Sequence, residues 1–364
     1  RRIVRVPHGV VFNLPAWNYP LLTAVNVVIP AVLSGNAVVL KHSPRSPLCG
    51  EHFAGAFTRA GAPPHLVQAL HCDHPTAQRI AGDPRVDYVA FTGSVATGRK
   101  VGVAAASRNA RVNLEMGGKD PFIVCDDIGA EGIRVAAEGG AWAAYLNAGQ
   151  VCTSSERFYV MESVFDDYVN AFVEHTKSLV IGDPLESGTD LGPMVSATQR
   201  GKALGQVEDA VAAGAELLTG GGNAGFERGH YLEPCVLTGV PADADLLREE
   251  TFGPVAPIVP VKDLDEAISL ANGLDFGLGA NIYTRDLKRA IRCVKEVRAG
   301  SVWINDPLTD NDAAPFGGMR KSGMGRELGE EGLDAFRETK HVHLDYIPER
   351  KSYWFPYGQR REEI

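Results

Sequence analysis

The sequence predicts an α/β protein built from largely parallel sheets flanked by helices, divided between two lobes. Short apolar runs alternate with longer amphipathic stretches, the pattern that places helices on both faces of a sheet. The 364 residues exceed what one ordinary core accommodates, so the alternation is shared between lobes. Hydrophobic residues at 45% and charged residues at 22% describe a soluble globular chain.

Taken in order, the chain enters a strand-like run directly after Arg1-Arg2, with no methionine at its start. Residues 10–14 read as a strand, 19–34 as a helix stopped by Gly35, and 37–41 as a second strand. A helix over 48–59, a run at 67–71, a helix over 76–81 and a strand at 86–91 repeat the unit. Residues 92–98 turn into a helix that ends near Ser107, and 112–115 form another strand. A second series has strands at 121–125, 158–161, 231–237, 256–261, 280–283 and 302–305, with helices over 133–146 and 164–179. Gly182-Asp183-Pro184 and the loop over 186–194 mark a surface crossing, and Gly220-Gly221-Gly222 reads as a loop tip. The alternating run 341–346 reads as an isolated strand seeking a partner.

Charge and cysteine usage exclude several functions. A net charge of -9 offers phosphates no concentrated basic face, which argues against a nucleic-acid partner. The pairs Arg350-Lys351 and Arg360-Arg361 are diluted by acids and read as solvated surface. The longest apolar stretch, 21–33, is shorter than a membrane span and contains Pro30, and no signal-peptide pattern appears. Six scattered cysteines without Cys-x-x-Cys spacing suit a reducing cytoplasm and form no metal-site pattern.

Two runs carry chemistry: Glu115-Met116-Gly117-Gly118-Lys119-Asp120-Pro121 and Gly149-Gln150-Val151-Cys152. A thiol that adds to a carbonyl carbon, followed by a carboxylate that activates water, is the pair that oxidises an aldehyde through a thioester. Alone, Glu115 reads equally as a strand-end acid paired with Lys119, and Cys152 as a small buried residue. Upstream, Gly93-Ser94-Val95-Ala96-Thr97-Gly98 links a strand to a helix start, which suits a phosphate or a plain turn. Lys41 ends a strand at the edge where parallel sheets bind ligands, and reads as a ribose or phosphate contact or as a solvated lysine.

With Phe12-Asn13-Leu14-Pro15-Ala16-Trp17-Asn18-Tyr19-Pro20, Phe91-Thr92-Gly93-Ser94, Glu249-Glu250-Thr251-Phe252-Gly253-Pro254-Val255 and Pro315-Phe316-Gly317-Gly318-Met319-Arg320-Lys321-Ser322-Gly323, these runs resemble the aldehyde dehydrogenase superfamily of the NAD(P)-dependent, hydrolytic type. The resemblance spans about Gly9 to His343, with the motifs in the family's order. It implies a Rossmann-type cofactor domain over 1–116, an α/β catalytic domain over 117–320, and a C-terminal return with an oligomerisation strand over 321–364. The family's N-terminal segment, which supplies cofactor-domain helices and part of an oligomerisation hairpin, has no counterpart here.

The resemblance also assigns roles. Cys152 is the nucleophile, Glu115 the base that hydrolyses the thioester, and Asn18, with the Cys152 N–H, holds the oxyanion. Trp17, Lys41, Gly93, Ser94, Glu250 and Phe252 face the cofactor; Tyr19, Thr23, Asn26, Val151 and Thr153 shape the aldehyde pocket. Asn18 is also a common helix cap. Pro44 stands where many members carry a glutamate on the adenosine ribose, so NAD is expected first and NADP is admitted, with His42 or Arg45 near its phosphate. Asn26 replaces an aromatic residue, which leaves the box for a quaternary ammonium incomplete and suggests a small or moderately polar aldehyde. The implied assembly is a homodimer or homotetramer. The rival readings are a CoA-acylating relative, which tends to lack the Glu115 carboxylate, and a non-catalytic scaffold with an incomplete cofactor domain.

Overall fold

The computed structural model describes residues 1–309, 311–355 and 357. The Arg360-Arg361 pair lies outside the described residues. Two sheets organise the molecule. The first has six strands in the order Gly323–Met324, Arg111–Met116, Tyr88–Gly93, Val10–Leu14, Ala37–Leu40, Val67–Ala69. All pair in parallel except the short Gly323–Met324, which runs antiparallel to Arg111–Met116. The second has seven, in the order Ser301–Ile304, Gly279–Tyr283, Asp120–Val124, Ser155–Met161, Val255–Val261, Cys235–Thr238, Glu216–Thr219, with only the last antiparallel.

The period of two along each strand builds the cores. In the first sheet Val11, Tyr88 and Ala90 pack with the helix Leu22–Leu33 on one face, while Phe12, Leu14, Val89 and Phe91 pack with Val95–Ala106 on the other. In the second sheet Phe122, Phe158 and Ile258 face the helices Gly129–Tyr145 and Phe165–Ser178; Ile123, Tyr159 and Ile282 face Leu264–Ala271. Such two-sided burial is why these strands read as near-continuous apolar runs.

Three differences from the sequence reading have physical reasons. The first long helix begins at Leu22, not at residue 19, after a turn containing Pro20. The helix Ala197–Ala212, capped by Ser196, was invisible because its buried stripe is Ala203, Val207 and Ala210, small residues among polar ones. The expected strand over 341–346 lies earlier, at Arg337–Val342, and is not isolated: it pairs antiparallel with Arg2–Pro7 in the same chain. Among the described residues no helix is long and apolar enough to cross a membrane.

Candidate active site

The carboxyl ends of the first sheet face the amino ends of the second across a cavity of about 1070 Å³. Pro15–Tyr19, Lys41, Gly93 and Glu115 follow or end strands of the first sheet, the edge where parallel sheets hold ligands. Cys152 immediately precedes Ser155–Met161, and Glu250 to Phe252 precede Val255–Val261. All fourteen residues singled out from sequence line this one cavity: Trp17, Asn18, Tyr19, Thr23, Asn26, Lys41, Gly93, Ser94, Glu115, Val151, Cys152, Thr153, Glu250 and Phe252.

The Cys152 turn is held in an uncommon conformation. Asn147, Ala148 and Gly149 stand consecutively at φ 51°, 54° and 69°. Asparagine and glycine tolerate that region, whereas Ala148 costs roughly 1–2 kcal/mol. Gln150 secures the turn: its side-chain Nε2 donates to the Asn147 carbonyl at 2.9 Å, and its Oε1 accepts from the Val195 amide at 2.8 Å. Gly149 is obligatory in size as well, since a methyl there would lie 2.2 Å from the Gly253 carbonyl. Asn18 does not cap the following helix. Its Nδ2 donates to the Gln150 carbonyl at 3.0 Å, which leaves one further N–H on a nitrogen whose residue lines the same cavity as Cys152.

Glu115 is buried, and neither carboxyl oxygen has a hydrogen-bond partner of normal geometry among the described residues. Burial, and then the Glu327 carboxyl, push its titration well above the ordinary range; Arg326 and the Gly318 amide oppose this weakly. It is not paired with Lys119, which binds Glu156 at 2.6 Å instead. Glu327 was missed from sequence. It lines the cavity, accepts from Asn26 Nδ2 at 3.2 Å, and burial raises its titration to about 7. A lone acid in the glycine-punctuated run 323–329 carries no periodicity that marks it as buried.

On the cofactor side, Lys41 is only 5% exposed yet its side chain lines the cavity. Ser94 caps the helix Val95–Ala106, accepting from the Thr97 amide, so that helix start points its free amides toward the same space. Glu250 rests against Gly117, where a methyl would overlap it, and burial lifts its titration to about 7. The Phe252 ring meets the Trp17 ring edge-on at 5.4 Å, and the Arg45 guanidinium lies 5.0 Å over Trp17. His42 does not line the cavity; its Nε2 bonds the Pro20 carbonyl at 2.9 Å, which leaves Arg45 as the cation beside Pro44. A cavity of this volume, with a buried ammonium, a helix start and a pair of aromatic rings, fits a nicotinamide dinucleotide.

A cysteine thiol and a buried carboxyl thus line one cleft between two largely parallel sheets. The profile of the aldehyde dehydrogenase family matches residues 1–342, and the chain belongs to that family. It is 40% identical over 343 residues to a betaine aldehyde dehydrogenase of Sinorhizobium fredii, covering 93% of this chain and 70% of that protein. Among solved structures it resembles an NAD-dependent aldehyde dehydrogenase from Sinorhizobium meliloti, with TM-score 0.93, 38% identity, and coverage of 97% and 69%. An NADP-dependent enzyme of E. coli matches with TM-score 0.89 at 34% identity, covering 93% of this chain and 70% of its own.

Proposed function

We propose that this chain oxidises a small or moderately polar aldehyde to its carboxylic acid through a cysteine thioester hydrolysed by a glutamate base. The carrying observation is that Cys152 and the unsatisfied Glu115 carboxyl line one cavity. The Cys152 sulfur adds to the aldehyde carbon, and the second Asn18 N–H, with the Cys152 amide, takes the oxyanion. One such donor is worth about 3 kcal/mol of barrier. A bound NAD or NADP would supply the hydride acceptor for that carbon. Glu115 then removes a proton from water, the water oxygen bonds to the thioester carbon, and the carbon–sulfur bond breaks to return the Cys152 thiolate.

Lys41 would hold the adenosine ribose, Ser94 and the helix start behind it the pyrophosphate, Glu250 the nicotinamide ribose and Phe252 the ring. NAD stands first and NADP second, since Pro44 offers no carboxylate against a 2′-phosphate and Arg45 lines the same cavity. Tyr19, Thr23, Asn26, Val151 and Thr153 would shape the aldehyde end. Residues 1–116 would form the cofactor domain, 117–320 the catalytic domain and 321–364 the C-terminal return. Among the described residues the ribbon of Arg2–Pro7 and Arg337–Val342 has unpaired strand edges and an exposed Ile3, which supports a subunit contact in a homodimer or homotetramer; the scattered free cysteines suit the cytoplasm.

Steady-state rates over a panel of aldehydes with NAD and with NADP, with and without CoA, test the reading. Free acid as product supports it. Acyl-CoA as the sole product, or no turnover with any pair, overturns it.

A further inference from the structure

Behind the cavity lies a buried ionic cluster that the proposed chemistry does not use. Lys119 and Glu156 form an ion pair at 2.6 Å with 1% and 2% of their surfaces exposed. The same Glu156 Oε2 accepts from the Thr251 amide at 2.8 Å, and Oε1 accepts from the Phe252 amide at 2.8 Å. Lys119 Nζ donates also to Thr251 Oγ1 at 2.9 Å. Opposite, Gln199 Nε2 donates to the Thr251 and Phe252 carbonyls, and Lys202 Nζ to the Glu250 carbonyl. Thus every backbone amide and carbonyl of Thr251 and Phe252 is held by a side chain, in a segment that belongs to no strand or helix.

The geometry has a purpose that packing alone does not require. Phe252 stands at φ 54°, a conformation that a phenylalanine keeps only when its surroundings impose it. That conformation carries its ring to the edge of Trp17 and leaves the preceding Glu250 carboxyl against Gly117. One carboxylate presents two acceptors to two successive amides, and a buried lysine balances its charge. The Cys152 turn, by contrast, is secured by its own set of contacts through Asn147 and Gln150.

We propose that Glu156 is a positioning residue: backed by Lys119, it sets the Glu250–Phe252 loop in the conformation that receives the nicotinamide end of the cofactor. This rests on the reading of the cavity as a nicotinamide dinucleotide site. It acts on cofactor binding, while Gln150 holds the thiol's own turn through the Asn147 carbonyl and the Val195 amide.

The test compares the full chain with Glu156→Gln, which keeps the size but supplies one acceptor where two are needed. Gln199→Leu loosens the same loop from its half-buried side, without disturbing the ion pair, should Glu156→Gln not fold. Tryptophan fluorescence follows NAD and NADP binding, and iodoacetamide follows alkylation of Cys152 in nucleotide-free protein. Either folded variant is expected to weaken nucleotide binding at least about tenfold and raise the cofactor KM alike, with the aldehyde KM and the alkylation rate within about twofold of the parent. Unchanged nucleotide affinity in a folded variant overturns the proposal alone, leaving the parent's turnover intact. Parallel loss of affinity, alkylation and unfolding midpoint also overturns it, in favour of a purely structural ion pair. A parent that binds neither nucleotide sinks the functional reading itself, and this proposal with it.

Discussion

Replacing Glu327 with glutamine tests the pairing of the two buried carboxyls directly. Glutamine keeps the shape and can still accept from Asn26 Nδ2, but it cannot ionise. Burial holds the Glu327 titration at about 7 rather than the ordinary 4.5. At 1.36 kcal/mol per tenfold change, charging it in place costs the folded protein about 3 kcal/mol. Because the folded value is raised, the stability of the protonated form is fully present below about pH 4.5 and is lost as pH rises through about 7. Between pH 5 and pH 8.5, parent stability should therefore decline by an amount that Glu327→Gln lacks, read from urea unfolding followed by fluorescence. The second readout is kinetic. Glu327 is one of the causes that raise Glu115, so its removal should move the deacylation profile toward lower pH. Stopped-flow decay of the thioester across that range measures it. Superimposable pH profiles for parent and variant would refute the argument that the carboxyls titrate as a pair.

Cys152→Ser should abolish aldehyde oxidation while nucleotide affinity, followed by fluorescence, stays within about threefold, since no other assigned cofactor contact changes. Glu115→Gln should slow deacylation and let a thioester accumulate, visible as a burst of reduced cofactor at least as large as half the sites; unchanged steady-state turnover counts against its role. Gly149→Ala forces a methyl to within 2.2 Å of the Gly253 carbonyl at φ 69°, so it should cost about 1–3 kcal/mol in denaturant unfolding and lower turnover sharply. Arg45→Ala should weaken NADP relative to NAD by about tenfold in titrations, the worth of one charged hydrogen bond; an unchanged ratio removes Arg45 from cofactor choice.

How much was legible depended on whether the deciding contact was local. Strands such as Val10–Leu14 show themselves because two-sided burial leaves an unbroken apolar run. Cys152 and Glu115 were found because motif context, not periodicity, marks them. Glu156 was invisible: its partners Lys119 and Thr251 are 37 and 95 residues away, and an acid at a strand start otherwise reads as solvated. Glu327 failed for the same reason, since Asn26 is 301 residues distant. The displaced C-terminal strand follows suit. Its register is set by pairing Arg2 with Val342, at opposite ends of the chain, and no local alternation encodes it.

Glu156, Glu250, Glu327 and Glu115 differ chiefly in what answers each carboxyl, and that difference sorts the roles proposed for them. Glu156 has an ammonium and two amides. Glu250 has none so close, but Lys202 and Lys119 lie near enough to oppose its rise. Glu327 has a single side-chain amide. Glu115 has no partner of normal geometry among the described residues. A carboxylate held by an ammonium and two amides is fixed in place and suits a clamp. An unsatisfied one gains most by taking a proton from water, which is the property a hydrolytic base requires. Only Arg326 and the Gly318 amide oppose the rise at Glu115, and in the proposed reaction a further donor there would stabilise the carboxylate and weaken the base in the same stroke.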